Sequence, residues 1–159
     1  TAFKKGDLIY LDFPEDQSEE VEQNNLIIQG LGVKPAKTYK GKDDYLAVFG
    51  GEDIIRTITP DFKVLSQLDS RGLIITAPGK EVDFVSRFFS PQSGVDEDPV
   101  TGSAYTLMIP YWHGILGKTK LAARQLSFRS GHVECELIKD RVLIGGKTAR
   151  YLEGEILIQ

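Results

Sequence analysis

The chain reads as an α+β fold, a mixed β-sheet wrapped around one central, mostly apolar helix, and three features predict it. Between Ala104 and Leu116 the residues Ala104, Leu107, Met108, Ile109, Trp112, Ile115 and Leu116 make a stretch apolar almost all round, which belongs in a core. Leu73–Ala77 is an apolar run of strand length with Thr76 its one polar member, the pattern of a strand covered on both faces. From residue 121 onward come short strand-like runs separated by glycines or charged turns.

Each element has a local justification. Residues 7–13 alternate toward Pro14, which ends a strand. Asp16 to Glu20 open a helix with Val21, Ile27, Ile28 and Leu31 as apolar positions, and Gly30 and Gly32 close it. Lys37–Tyr39 against Tyr45–Phe49 reads as a hairpin turned at Gly41–Asp44. Ile54–Ile58 extends as a further strand. Thr59-Pro60 starts a short helix, with Thr59 as its cap and Phe62, Leu65 and Leu68 near helical spacing. Asp83–Phe89 is a strand leading into a loop over Pro91–Gly94. The central helix runs from Pro99 to Gly117, and Pro110 kinks it or splits it in two. Strands at 121–128, 133–138, 141–144 and 153–158 complete the chain, and Gly50-Gly51 and Gly145-Gly146 read as turns.

At 159 residues and 41% hydrophobic, the chain can bury a core, and its length suits one domain. A net charge of −4 offers no basic footprint, which argues against nucleic acid as a partner. No apolar run approaches the roughly 20 residues of a membrane span, and no signal-peptide pattern is visible. The single cysteine, Cys135, cannot form an internal disulfide and suits a reducing cytoplasm. It alternates with Val133 and Leu137, so it faces the core as a small hydrophobe. No spacing of His, Cys and carboxylates suggests a metal, and no glycine pattern fits a phosphate or dinucleotide loop.

The most informative segment is Glu97-Asp98-Pro99-Val100-Thr101-Gly102-Ser103. Asp98 can cap free amides, and Pro99 suits the first helical position. Thr101 and Ser103 add hydroxyls, and Gly102 lets a ligand approach the backbone. A helix start of this kind favours an anion, because its amides and its dipole both point outward. The plainer reading is that Asp98 caps a helix and does nothing else. His113 and His132 read as surface or packing residues. Arg87 and Arg129 either face an acidic ligand or form ordinary surface ion pairs.

The wider stretch carries a resemblance. Arg87-Phe88-Phe89-Ser90-Pro91 leads through Gly94 to Asp98-Pro99-Val100-Thr101-Gly102-Ser103-Ala104, then to Pro110-Tyr111-Trp112, Leu116-Gly117-Lys118 and Arg124-Gln125-Leu126-Ser127. This resembles the phenazine-biosynthesis PhzF-like family, relatives of diaminopimelate epimerase. The resemblance covers most of residues 60–158 and implies the diaminopimelate epimerase-like fold. It also implies that residues 1–159 are the C-terminal portion of a two-domain protein, a single domain here. The family's N-terminal half carries an acidic catalytic residue and a Gly-Asn-Pro motif that this chain, which begins with Thr1, does not contain. Residues 1–14 and 152–159 are then expected to associate with that other half.

By the same resemblance, Asp98 is the catalytic residue of this half, and Thr101, Gly102, Ser103, Gly94 and Tyr105 contact substrate. The family has His where this chain has Tyr105. Diaminopimelate epimerases use a pair of cysteines, one at the head of the equivalent helix; with Asp98-Pro99-Val100 there, two-thiol racemisation is closed to this chain. The implied activity is cofactor- and metal-independent isomerisation or epimerisation, moving a proton on a small carboxylate metabolite, with the general acid/base supplied by the other half. The fragment alone is then inactive, and its partners are the other half or a second copy of the chain, neither nucleic acid nor membrane. The alternative is a non-catalytic module of the same fold that binds a small anion or metabolite.

Overall fold

A computed structural model of the protein describes residues 1–149, 151–155 and 157. Its strands are β1 (Ala2–Lys5), β2 (Leu8–Pro14), β3 (Glu19–Val21), β4 (Lys37–Lys40), β5 (Asp44–Val48), β6 (Gly72–Pro78), β7 (Phe84–Ser90), β8 (Val95–Glu97), β9 (Lys120–Gln125), β10 (Gly131–Ile138) and β11 (Arg141–Lys147). The helices are α1 (Asn25–Leu31), α2 (Glu52–Thr57), α3 (Phe62–Leu65) and α4 (Tyr105–Leu116). The strands form one sheet in the order β1-β2-β11-β10-β9-β7-β6-β5-β4-β3, with β8 added to β7. The pairs β5–β6 and β7–β9 are parallel and the others antiparallel, so the sheet is mixed. A parallel pair needs a crossover, and the β7-to-β9 crossover carries both the 98–103 segment and α4.

Two cores lie on the two faces of this sheet. On one face α4 contributes Tyr105, Leu107, Met108, Ile109 and Trp112, which pack among Leu46, Ile74, Phe84, Phe88, Val133, Cys135 and Ile144. On the other face α1, α2 and α3 bring Ile27, Leu31, Ile55 and Leu65 against Ala47, Leu73, Ile75, Val85 and Phe89. Alternation along β6 sends Ile74 to the first core and Leu73 and Ile75 to the second, which explains why consecutive residues here are apolar. Each fully buried Leu, Ile, Phe or Met side chain contributes roughly 1.5–3 kcal/mol through removal from water.

The central helix is shorter than the sequence predicts. It does not begin at Pro99: residues 98–101 are not helical, a 3-10 turn covers Gly102–Ala104, and α4 starts at Tyr105 with no side-chain cap. It ends as expected at Gly117, which takes φ +67 and donates its N–H to the His113 carbonyl. Pro110 does not split the helix. Its missing N–H frees the Thr106 carbonyl, which accepts the Asp16 N–H at 3.0 Å instead.

Three local readings yield to tertiary contacts. The predicted helix opening at 16–20 is in part strand β3, whose Glu20 faces β4 and accepts from Lys37 Nζ at 2.8 Å. The helix begins only after Asn24, whose Oδ1 accepts the Leu26 N–H. Ile54–Ile58 is not a strand; it lies in α2 and its cap, where Ile55 and Ile58 reach the core at helical spacing. Asp61, not Thr59, caps α3 through the Val64 N–H. Gly145-Gly146 is no turn but lies within β11, where a Cβ on Gly145 would come within 2.5 Å of the Tyr10 ring.

Residues 1–14 are built into this sheet: β2 lies between β1 and β11, in register from Leu8–Lys147 to Pro14–Arg141. The predicted strand at 153–158 falls partly outside the described residues; Tyr151, Leu152 and Leu157 are exposed and in no regular element. Among the described residues, no helix is long and apolar enough to cross a membrane.

Candidate functional site

The 98–103 segment is shaped by residues from β7, β9 and the turn after β9 rather than by helix capping. The Asp98 N–H donates to the Phe88 carbonyl at 3.1 Å. The buried Gln125 accepts the Thr101 N–H at 2.9 Å through Oε1 and donates through Nε2 to the Asp98 carbonyl at 2.7 Å. Ser127 Oγ donates to the Pro99 carbonyl at 2.7 Å. Asp98 therefore caps no helix. Its Oδ2 instead accepts the Thr101 hydroxyl at 2.7 Å, which leaves further lone pairs on a half-buried carboxylate.

Gly102 and Ser103 follow at the start of the 3-10 turn. Their N–H groups have no acceptor among the described residues. Ser103 Oγ accepts Arg71 Nη1 at 2.9 Å, and its carbonyl accepts the Thr106 hydroxyl. Arg71 in turn grips Asp44 with two nitrogens, Nε on Oδ1 at 3.0 Å and Nη2 on Oδ2. Hydrogen bonding to Asp44 raises the guanidinium pKa above its ordinary value, so Arg71 is always charged. Val100 and Gly102 border a cleft of about 770 Å³, whose apolar walls include Leu11, Val133 and Ile144.

The other residues singled out from the sequence scatter. Tyr105 is fully buried against Phe84 and offers nothing to a ligand at the mouth; burial pushes its phenol pKa far up. Gly94, at φ +82, closes the turn after Pro91–Ser93 and is separated from Asp98 by β8. Thr101 is buried, its hydroxyl spent on Asp98. Arg87 is engaged within the protein: it donates to Glu97 at 2.8 and 3.0 Å and to the Ile55 and Ile58 carbonyls behind α2. Arg129 is exposed and unpaired among the described residues, in the turn that Ser127 anchors to Pro99. His113 sits at the far end of α4 against the Lys118 carbonyl, whereas His132 lines the cleft. Among the described residues no group of three or more His, Cys, Asp or Glu is placed to hold a metal.

Sequence reasoning misses Gln125 and Arg71. Gln125 carried a signal, a polar residue on the inward side of β9 in step with Leu121 and Ala123. Arg71 carried none, because it lies 32 residues from Ser103.

Comparison with known proteins places this architecture. The model of the phenazine biosynthesis-like protein family, PhzC-PhzF, matches residues 9–154. The uncharacterized isomerase PA2770 of Pseudomonas aeruginosa is 43% identical, over 96% of this chain and 59% of that protein. The uncharacterized isomerase BH0283 of Halalkalibacterium halodurans is 40% identical, over 99% of this chain and 61% of its own length. A crystal structure of a PhzF-family phenazine biosynthesis protein from Enterococcus faecalis superposes with a TM-score of 0.90 at 41% identity, covering 99% of this chain and 60% of that one. The chain thus spans about three-fifths of the length of these relatives. With a mixed sheet around α4, the diaminopimelate epimerase-like fold of these neighbours and a family match over nearly its whole length, the chain belongs to the phenazine biosynthesis-like protein family.

Proposed function

We propose that this chain is the C-terminal portion of a cofactor-independent isomerase or epimerase that moves a proton on a small carboxylate metabolite. The observation that carries this reading is a half-buried Asp98 carboxylate held by Thr101, followed in the chain by the open Gly102 and Ser103 amides, with Val100 and Gly102 bordering an apolar cleft. The amides and the Ser103 hydroxyl hold the substrate carboxylate, or the negative charge that builds up when a proton leaves the neighbouring carbon. Asp98, kept in place by Thr101, orients the substrate or assists proton transfer; the general acid/base comes from the other half of the protein. Closure by that half excludes water, so this chain by itself presents an open cleft and does not turn over. The setting is a reducing cytoplasm, with the other half or a second copy completing the assembly. The names of PA2770 and BH0283, both isomerases, support the reaction class. Tyr105, the departure that speaks for a binding-only module, is in the core and alters neither reading.

The test is solvent exchange. The full-length gene product is incubated in D2O with a panel of small amino, hydroxy and unsaturated carboxylates, and NMR follows deuterium entering C–H positions. Wild type exchanges at least one compound, and Asp98→Asn and Ser103→Ala each slow it about 100-fold, the scale of a lost acid–base or oxyanion contact. Exchange within twofold of wild type in both variants would place the chemistry elsewhere.

A further inference from the structure

Ser103 has a support that its own segment does not provide. Its hydroxyl oxygen accepts a hydrogen bond from Arg71 Nη1 at 2.9 Å. A guanidinium has no acceptor, so this contact leaves the Ser103 O–H proton unused. Arg71 cannot drift, because Nε and Nη2 both bind Asp44, a carboxylate only 5% exposed. The register of the sheet builds this fork: Asp44 opens β5 opposite Gly72 of β6, so Arg71 emerges beside it, and the Arg71 N–H is fixed to the Asp43 carbonyl at 2.7 Å. The guanidinium also lies 5.6 Å from the Phe88 ring. Gly72 permits this crowding, since a Cβ there would fall 2.4 Å from that ring. Of the fork's three directed contacts, two hold Asp44 and the third ends on Ser103.

We propose that Arg71, locked by Asp44, is a positioning residue that fixes Ser103 Oγ as an acceptor and thereby presents the Ser103 hydroxyl proton to the carboxylate of the substrate. The inference rests on the reading of Ser103 and Gly102 as the carboxylate-binding pair. A planar, two-point hold on Asp44 gives the third nitrogen a fixed direction, which a flexible lysine would not supply. The adjacent positive charge polarises the hydroxyl toward donation. Asp16 and Asp43 act on the same guanidinium, so its charge is largely balanced locally and Arg71 serves Ser103 more than it attracts anions on its own.

The test uses benzoate, a carboxylate with an apolar body suited to the cleft, titrated into the 15N-labelled full chain while the Gly102 and Ser103 amide signals are followed. Wild type shifts both signals saturably, and Ser103→Ala weakens binding. Arg71→Gln weakens it at least fivefold, yet adds less than a twofold change in the Ser103→Ala background. Should Arg71→Gln not fold, because it strands the buried Asp44 charge, the double variant Arg71→Gln/Asp44→Asn is measured for the same fivefold loss. Arg71 variants that bind within twofold of wild type, or that add their full effect to Ser103→Ala, overturn the positioning role while the carboxylate site stands. A wild-type titration that moves neither amide overturns the site and the proposal together.

Discussion

Gln125 closes on Thr101 with both ends of its side-chain amide. Oε1 takes the Thr101 N–H at 2.9 Å, while Nε2 gives to the Thr101 hydroxyl at 3.2 Å and to the Asp98 carbonyl at 2.7 Å. This one fully buried side chain keeps residues 98–101 out of the helix and turns Asp98 to the surface. Gln125→Leu conserves volume but leaves the Thr101 N–H and the Asp98 carbonyl without partners. The expected loss is about 1–3 kcal/mol in urea unfolding, with amide shifts changed over 98–103 and unchanged at the β10–β11 pairing. A loss below about 0.5 kcal/mol, the scale of an ordinary surface substitution, would show that the segment holds itself.

The only tryptophan reports on the α4 core. Trp112 is 2% exposed, stacks on Phe84 at 5.5 Å, and donates from Nε1 to Thr76 Oγ1 at 3.0 Å. Thr76→Val keeps the shape and removes the acceptor, so an indole N–H is buried unpaired. We expect a loss of roughly 1–3 kcal/mol by tryptophan fluorescence in urea, with the native emission maximum unmoved.

Glu52 makes stability depend on acid. The Lys80 N–H reaches Oε2 at 2.9 Å, Arg56 Nε reaches Oε1 at 2.8 Å, and together they outweigh burial and lower the carboxyl pKa below its ordinary value. The folded pKa lies under the unfolded one, so the contribution is complete above the unfolded value of about 4.3 and fades as pH falls through the folded pKa. Glu52→Gln should lower stability at pH 7 by about 1–3 kcal/mol and narrow the gap to wild type as pH drops below 4. A difference between the two proteins that is constant across this range would rule the ionised carboxylate out as the cause.

Cys135 is 3% exposed in the α4 core, and burial pushes its thiol well above the ordinary value. The thiolate is the reactive form, so the native protein should react with Ellman's reagent at least about 100-fold more slowly than the urea-unfolded chain at pH 8. Comparable rates would mean that the thiol reaches solvent and that Cys135 does not face the α4 core.

Periodicity and stop signals are local, and what they encode is legible before folding. The 73–77 run marks a strand with two covered faces, the apolar content of 104–116 marks the central helix, Gly117 ends it, and alternation turns Cys135 inward. The Asp98–Ser103 motif is legible as a candidate site because its residue types sit together in sequence. Backbone partners from elsewhere in the chain are not local. Residues 19–21 pair with β4 instead of opening a helix because Lys37 and Tyr39 offer Glu20 an edge. The helix begins late because Phe88 and Gln125 take the polar groups of Asp98 and Thr101 that a helical turn would have used. Arg71 meets Ser103 only because the parallel register of β5 and β6 sets it beside Asp44. A hydrogen-bonding group goes to whichever partner the folded chain delivers, and only the tertiary structure decides which partner that is.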